Sequence, residues 1–258
     1  MRKFGLPQTH LHHLRIPGAF RVARNPSFST PSAGVALAAW LISLQAQAAD
    51  APLTWEKAFP LRGQAMGDVY YAAKYFEPRS GWHELEVWRH NQSFLHRQTD
   101  GKLDIYVTTL PGGPAAYNYE VFDQQRHLVI DVDQTNLYRL GIFLDWFGLA
   151  HIVDRPKGSF SLTRTAPRAD EPQAGCQWVT IEQRNAKAVA KSRVCWSSEW
   201  GVPLRIRNNT EGDAWEDRFV LGTVRAVAPG TVVWKTPPPP ANWGHYDADS
   251  AIDKSQGD

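Results

Sequence analysis

The 258-residue sequence contains only two cysteines, and it lacks the short motifs that mark common catalytic centres. There is no Gly-x-Ser-x-Gly nucleophile elbow, no glycine-rich phosphate loop and no Cys-x-x-Cys-His haem-attachment site. No histidine occurs between residues 152 and 244, so this part of the chain, which holds both cysteines, offers no histidine that would activate a catalytic thiol. The sequence therefore predicts a protein that is not an enzyme and needs no cofactor.

A long apolar run is also missing, because the most apolar stretch, residues 33–44, has twelve residues. A transmembrane helix needs roughly 20. Five cationic residues and no acidic residue precede this stretch, and Ala-Gln-Ala follows at residues 46–48. This layout is typical of a signal peptide with a cleavage site after Ala48. We expect residues 1–48 to be removed and the mature chain to be exported to the periplasm.

Basic charge is scarce once this leader is set aside. Five of the 28 lysines and arginines lie in residues 1–48, which leaves 23 against 26 aspartates and glutamates and changes the formal net charge from +2 to −3. No basic run remains, so nucleic acid is not an expected partner. No cysteine lies next to the predicted cleavage site, which argues against a lipid-anchored lipoprotein. We expect no integral membrane span in the mature chain.

Short segments that alternate with turn signals occupy the chain from residue 67 onward, a pattern typical of all-β proteins. We expect one domain over residues 49–235, with a weak helical stretch near residues 55–59. A proline-rich polar tail over residues 236–258 is expected to be disordered. The predicted strands are 69–76, 82–89, 94–98, 103–108, 117–122, 128–133, 159–163, 177–183, 189–196, 204–207, 215–224 and 231–234.

Side-chain alternation gives five consecutive strands one apolar face. That face carries Leu85, Val87, Leu95, Leu103, Ile105, Val107, Tyr117, Tyr119, Val121, Leu128, Ile130 and Val132. The opposite face is mixed, as expected where a sheet meets water on one side, and carries Glu84, Glu86, Trp88, His96, Asp104 and Tyr106. The predicted fold class is mainly β with an inserted helix (α+β), as an antiparallel, unclosed β-barrel or strongly curved sheet covering an apolar helix.

The inserted helix is predicted over residues 137–153, which are apolar on nearly every side. A helix of this composition must be buried, and the charges in its interior argue against a membrane span. We therefore expect it to lie against the apolar face of the sheet. Its aromatic residues Phe143, Trp146 and Phe147 would then fill the concavity.

The two cysteines fall at matched positions in a predicted hairpin. If strands 177–183 and 189–194 meet around Asn185 and Ala186, Cys176 lies directly opposite Cys195, at a distance suited to a disulfide. Export favours this staple, whereas a zinc site or a reactive thiol would need further ligands or a base that the sequence does not offer. A disulfide closing a loop of this length contributes about 3 kcal/mol in the chain-entropy model.

One group of polar residues keeps an enzyme hypothesis open. The group consists of His83, Glu84, Glu86, His90 and His96. Strand parity divides the histidines between the two faces of the sheet, so surface histidines are favoured over a metal site. Carboxylates with the separation that a glycosidase requires cannot be recognised from the sequence.

The order of elements and two short motifs resemble a known superfamily. Gly-Val-Pro-Leu at residues 201–204 joins the strand of Cys195 to the next strand, and Val-Val-Trp at residues 232–234 precedes Pro237 as a closing strand would. In these features residues 67–237 resemble the periplasmic lipoprotein carriers and receptors, LolA and LolB, and the stress regulator RseB. The resemblance implies an unclosed β-barrel whose concave apolar face is covered by helices and receives acyl chains or a lipid-modified partner.

These expectations combine into one functional prediction. The exported protein is expected to bind a lipid, an acyl chain or a lipid-modified partner such as a lipoprotein, in an apolar cleft between sheet and helix. The alternatives are an envelope regulatory or protein-interaction module without a small ligand, and a histidine-dependent metalloenzyme. No catalytic residue and no metal site are assigned. The predicted lining residues are Leu85, Val87, Leu103, Ile105, Val107, Tyr119, Leu128, Ile130, Phe143, Trp146 and Phe147.

Overall fold

A computed structural model of the chain places its described residues within the unit Asp50–Asp258. The described residues are 52–111, 116–134, 137, 145–184, 189–209 and 214–248. The predicted signal peptide, residues 1–48, lies outside them, as does the end of the predicted tail beyond residue 248.

Twelve strands make up one unclosed, curved sheet in the described part of the chain. They are β1 Asp68–Glu77, β2 Gly81–His90, β3 Phe94–Thr99, β4 Leu103–Thr109, β5 Tyr117–Asp123, β6 Leu128–Asp133, β7 Phe160–Arg164, β8 Gln177–Arg184, β9 Val189–Ser197, β10 Val202–Asn209, β11 Trp215–Ala226 and β12 Gly244–Asp247. Their order across the sheet is β12-β6-β5-β4-β3-β2-β1-β11-β10-β9-β8-β7. All neighbours are antiparallel except β12 and β6, which run parallel.

The prediction of a mainly β protein with one unclosed sheet is confirmed. Eleven of the predicted strands lie within two residues of β1 to β11, because alternating side chains there bury one face, as Val69, Tyr71 and Ala73 do on β1. The predicted closing strand over residues 231–234 is wrong, since no strand occurs there. The chain turns instead after β11, where Gly230 has a φ of +78° and the Thr231 N–H donates to the Ala228 carbonyl.

Two groups of buried residues divide the core. We call the inner face the side of the sheet that carries Val69, Tyr71, Leu85, Val87, Leu95 and Val107, which belong to the larger group. Trp146, Leu149 and Ala150 belong to this same group. The smaller group contains Trp55, Phe59 and Trp196, with Phe147 packed against it.

Within the described ranges, the helical segments with assigned bounds are α1 Trp55–Ala58, a 3-10 turn Gly63–Met66, and α2 Trp146–His151. The weak helix predicted near residues 55–59 is confirmed as α1, whose N-cap is Thr54. None of the helices in the described ranges has the length and hydrophobicity needed to cross a membrane.

The prediction of one continuous helix over residues 137–153 is wrong. Asp145 has extended backbone angles (φ −86°, ψ 169°), and its side chain accepts a hydrogen bond from Gly148 N. Asp145 is therefore the N-cap of a new helix rather than an interior residue. The helix α2 ends before Ile152, which adopts the left-handed conformation. Residues 138–144, including Phe143, lie outside the described part.

Cys176 and Cys195 form a disulfide, as predicted, with their Cα atoms 5.3 Å apart. The hairpin register differs from the predicted one by two residues, because Trp178 pairs with Cys195. Arg184 pairs with Val189, so the hairpin is centred one residue further along the chain than predicted. Cys195 lies near the end of β9 and Cys176 is the residue just before β8. The disulfide therefore joins two residues that are not directly opposite each other in the hairpin. A shift of two residues leaves every side chain on its predicted face.

The outer face of the sheet, opposite the inner face, carries a ladder of aromatic rings. The ladder consists of Tyr70, Trp88, His96, Tyr106 and Phe122, with neighbouring rings 4.4–5.1 Å apart. Asp104 is buried beside it and accepts hydrogen bonds from His96, Gln98 and Gln124. This face is therefore less exposed to water than the sequence pattern suggests.

The C-terminal segment, predicted to be disordered, crosses this outer face. Trp234 stacks on His90 at 5.0 Å, and Trp243 stacks on His127 at 5.5 Å. Gly244–Asp247 then form β12 beside β6. The prolines at residues 237–240 argue against a strand in this segment, because proline cannot donate a hydrogen bond to a sheet. The four-residue strand β12 begins only after them.

A buried ion cluster stabilises the other half of the sheet. The Glu171 carboxylate, 4% exposed, accepts hydrogen bonds from Arg193 Nε at 2.9 Å and Nη2 at 2.5 Å. Arg207 Nη1 adds a contact at 3.3 Å. Although burial alone would raise the pKa of Glu171, its hydrogen bonds with Arg193 lower that pKa below the ordinary value. Glu171 is therefore held as a carboxylate.

Candidate functional site

Two arginines interrupt the apolar inner face. Arg89 on β2 pairs with Leu95, and Arg97 on β3 pairs with Val87 and Ile105. Residues paired across neighbouring strands project from the same side of a sheet. Both guanidinium groups therefore project from the face that holds the larger core group.

Arg89 is fully buried and is bound by backbone carbonyl groups. Its Nη1 donates to the carbonyls of Ala150 at 3.1 Å and Gly201 at 3.2 Å. Its Nη2 donates to the carbonyls of Ala65 at 3.2 Å and Trp200 at 2.9 Å. Burial lowers the pKa of Arg89 to about 10, so it remains a cation near neutral pH. Arg89 thus joins the 3-10 turn, α2 and the β9–β10 turn to the sheet.

His151, at the end of α2, completes this buried junction. Its Nδ1 lies 2.5 Å from the Gly201 carbonyl oxygen. Arg89 Nη1 lies 2.8 Å from the same nitrogen. Burial, followed by repulsion from Arg89, lowers the pKa of His151 to about 3. The ring is therefore neutral.

Gly201 makes this close approach possible. Its φ is +62°, and a Cβ placed there would lie 2.8 Å from Ala65 Cβ and 3.2 Å from His151 Nδ1. Glycine alone combines the left-handed conformation with the absence of a side chain. The Gly-Val-Pro break seen in the sequence thus forms both a turn and part of the Arg89 junction.

Arg97 has a different environment from Arg89. It is half-buried, its Nε is buried without a hydrogen-bond partner, and within the described residues it takes part in no ion pair. Its charge nevertheless acts on Tyr71, Tyr119 and Asp154, because it lowers the pKa of each against the raising effect of burial. Arg97 is a cation without a bound partner in the midst of aromatic and acidic side chains.

We use the name inner cleft for the part of the inner face next to Arg97, where Ile105, Tyr119 and Ile130 are only partly buried. These three residues pack against the larger core group, to which Trp146 belongs. Asp154 is exposed to solvent, yet desolvation is the largest cause of its raised pKa, followed by repulsion from Asp145.

Unsatisfied buried donors concentrate near this cleft. Four of the five buried side-chain atoms without a hydrogen-bond partner in the described residues belong to the inner face or α2: Tyr71 Oη, Arg89 Nε, Arg97 Nε and Trp146 Nε1. The fifth, Arg207 Nε, lies 3.5 Å from an Asp217 oxygen. An unsatisfied buried polar group costs about 1–3 kcal/mol. These four donors lie unsatisfied in the interior of the described part of the protein.

The predicted lining residues separate into four sets. Leu85, Val87, Val107 and Trp146 are buried in the larger core group. Ile105, Tyr119 and Ile130 are half-exposed and line the inner cleft. Leu103 and Leu128 are half-buried on β4 and β6. Phe147 packs in the smaller core group, and Phe143 lies outside the described residues.

Two grooves lie away from the inner cleft. One, of about 370 Å³, is lined by Ala72, Lys74 and Glu86, at the bulge where Gly222 approaches the Ala72 carbonyl. The other, of about 280 Å³, lies beside the disulfide. The inner cleft is therefore a partly open surface rather than one of these grooves.

The histidines near β2 and β3 each have their own carboxylate partner. The pairs are His83–Asp100 at 2.7 Å, His90–Asp68 at 2.6 Å and His96–Asp104 at 2.7 Å. His83 therefore shares no carboxylate partner with His90 or His96. Across the described ranges, no group of three or more His, Cys, Asp or Glu side chains is arranged to hold a metal ion.

Comparison with known proteins finds no matching protein-family model and no matching curated protein. The sequence placed Ile105, Tyr119 and Ile130 on the inner face, but neither arginine was among the predicted lining residues. Strand parity was the available signal, since Arg89 follows Leu85 and Val87 at alternate positions and Arg97 follows Leu95. Because both residues are charged, they were not included among the predicted apolar lining residues.

Proposed function

We propose that the protein binds one amphiphile, either a lipid, an acyl chain or an acyl-modified partner, in the inner cleft. The observation that carries this proposal is the incomplete burial of Ile105, Tyr119 and Ile130, which pack against the fully buried residues of the larger core group. Apolar side chains left open next to a buried core mark a ligand-binding surface.

Burial of an acyl chain supplies the affinity in this proposal. Each methylene removed from water contributes about 0.8 kcal/mol, so a chain that crosses β4, β5 and β6 needs no ionic contact to remain bound. The sheet is not closed into a barrel, so a bulky headgroup or an attached polypeptide has room to remain outside. The resemblance of residues 67–237 to LolA, LolB and RseB supports the same ligand class, and export to the periplasm belongs to this proposal.

Native mass spectrometry of the protein purified without detergent tests the proposal. We expect one bound amphiphile per chain, recovered by solvent extraction. Ile105→Glu should abolish this species because it places a carboxylate on the floor of the cleft. Val233→Glu, at a position 71% exposed in the C-terminal segment, is the matched control and should retain it.

If Ile105→Glu fails to fold, Ile130→Gln provides the same test with a milder change. A wild-type protein that carries no amphiphile and takes up neither added dodecanoate nor added dodecanol would refute the proposed function. Equal amphiphile content in the wild type and in a folded cleft variant would place the ligand elsewhere.

A protein-interaction module is the second candidate function, and the exposed prolines favour it. Residues 237–240 are four consecutive prolines, all exposed, and such runs form an extended helix that partner proteins recognise. Replacement of these residues by Gly-Ser repeats should then abolish capture of a partner without any change in amphiphile content. Retention of the partner would refute this second role.

A further inference from the structure

We propose that Arg97 binds the anionic head of the ligand, so that the inner cleft selects acyl-chain amphiphiles with one negative charge over neutral or cationic ones. This inference rests on the proposed function and specifies its ligand class.

The first argument is the contrast between Arg97 and three other arginines of the sheet. Arg89 is bound by four carbonyls, Arg193 by Glu171, and Arg205 by Asp217. Arg97 has no hydrogen bond or ion pair within the described residues, and its Nε is a buried, unpaired donor. A planar guanidinium presents paired N–H groups that match a carboxylate or a phosphodiester.

The second argument is the position of Arg97 within the cleft. It pairs with Ile105 across β3 and β4, and Ile105 continues through Val121 to Ile130 across β5 and β6. A head held at Arg97 therefore has an apolar path along the sheet for its chain. This arrangement of one charged group at the start of an apolar path is complementary to an amphiphile.

The third argument limits the charge of the head. Burial, followed by repulsion from Asp145, raises the pKa of Asp154, and the opposing effect of the Arg97 charge is smaller. A carboxyl group within electrostatic reach of Arg97 repels a dianion more strongly than a monoanion. The ligand is therefore an acyl-chain monoanion, such as a fatty acid carboxylate or a phosphodiester lipid.

Isothermal titration with three probes of equal chain length tests the inference: dodecanoate, dodecanol and dodecyltrimethylammonium, at about pH 8, where the carboxylate is ionised. Wild-type protein should bind dodecanoate at least about tenfold more tightly than dodecanol, as expected for a charge-assisted hydrogen bond. Arg97→Met should reduce this ratio to about twofold or less, because it keeps a flexible unbranched side chain and removes the charge. Arg126→Met, at a side chain 74% exposed, should keep the wild-type ratio.

The possible outcomes distinguish a failure of the proposed role of Arg97 from a failure of the proposed function. An unchanged dodecanoate preference in folded Arg97→Met, or equal wild-type affinities for dodecanoate and dodecanol, overturns the role of Arg97 but leaves the proposed function intact. No binding of any dodecyl probe overturns the proposed function itself. If Arg97→Met does not fold, Arg97→Lys is used. It keeps the charge but loses the planar fork, and it should weaken dodecanoate binding while dodecanol binding stays the same; unchanged dodecanoate binding overturns the inference.

Discussion

The stability of the protein should fall in mild acid because of His151. The imidazole is 2% exposed and is held neutral between the Gly201 carbonyl and the Arg89 guanidinium. Its pKa is about 3 in the folded protein, against about 6.5 in an unfolded chain. The unfolded state therefore takes up a proton first as the pH falls, and the free energy of unfolding decreases between about pH 6.5 and about pH 3.

The size of this effect follows from the two pKa values. Linkage gives a loss of about 2 kcal/mol at about pH 5 relative to about pH 8, and of about 3 kcal/mol at about pH 4. Above about pH 7 the contribution is constant, because the imidazole is neutral in both states. A loss of this size is a large part of the stability of an ordinary domain.

Urea unfolding of wild type and His151→Gln at several pH values measures the effect. The glutamine amide can donate to Gly201 but does not titrate, so the variant should lose about 2 kcal/mol less than wild type between about pH 8 and about pH 5. The comparison of slopes is independent of any constant cost of the substitution. His127→Gln, at an exposed turn, is the control and should keep the wild-type slope. Equal slopes in His151→Gln and wild type would refute this account of the Arg89 junction.

Three further predictions concern other parts of the fold. Glu171→Gln should lower the free energy of urea unfolding by about 3 kcal/mol, because it leaves Arg193 buried without its counter-charge; a change below about 1 kcal/mol would contradict the buried ion cluster. Replacement of Cys176 and Cys195 by serine should cost about 3 kcal/mol in the same assay, from a loop with a sequence separation of 19, and the wild type under reducing conditions should show the same loss. A chain that ends after Val227 should fold but bind more of a hydrophobic dye, because the outer face loses the contacts of Trp234 and Trp243. Unchanged dye binding would contradict the conclusion that the C-terminal segment covers this face.

The sequence predicts the strands well because hydrophobic alternation and turn residues are local signals. It places the disulfide but not the register, since the length of the connection after Arg184 has no local signal and a shift of two residues preserves side-chain alternation. The single helix over residues 137–153 was inferred from composition alone. Asp145 was a possible N-cap, but the apolar residues on both sides concealed the break.

The cleft was predictable only in part. Alternation places Ile105, Tyr119 and Ile130 on one face, but no local pattern indicates which of them remain half-exposed, because that depends on residues far away in the chain. The roles of the two arginines depend on tertiary contacts in the same way. Arg89 meets carbonyls up to 112 residues away, whereas Arg97 meets none in the described part of the chain.

Photo-crosslinking with an acyl chain that carries a diazirine near its end tests the central claim most directly. After irradiation and digestion, peptide mapping shows which part of the protein the chain contacts. We expect crosslinks on Ile105, Tyr119 or Ile130 and on α2, and an excess of dodecanoate should suppress them. Crosslinks confined to the outer face or to the C-terminal segment, or crosslinks that competing dodecanoate does not reduce, would contradict the proposal that the inner cleft is the binding site.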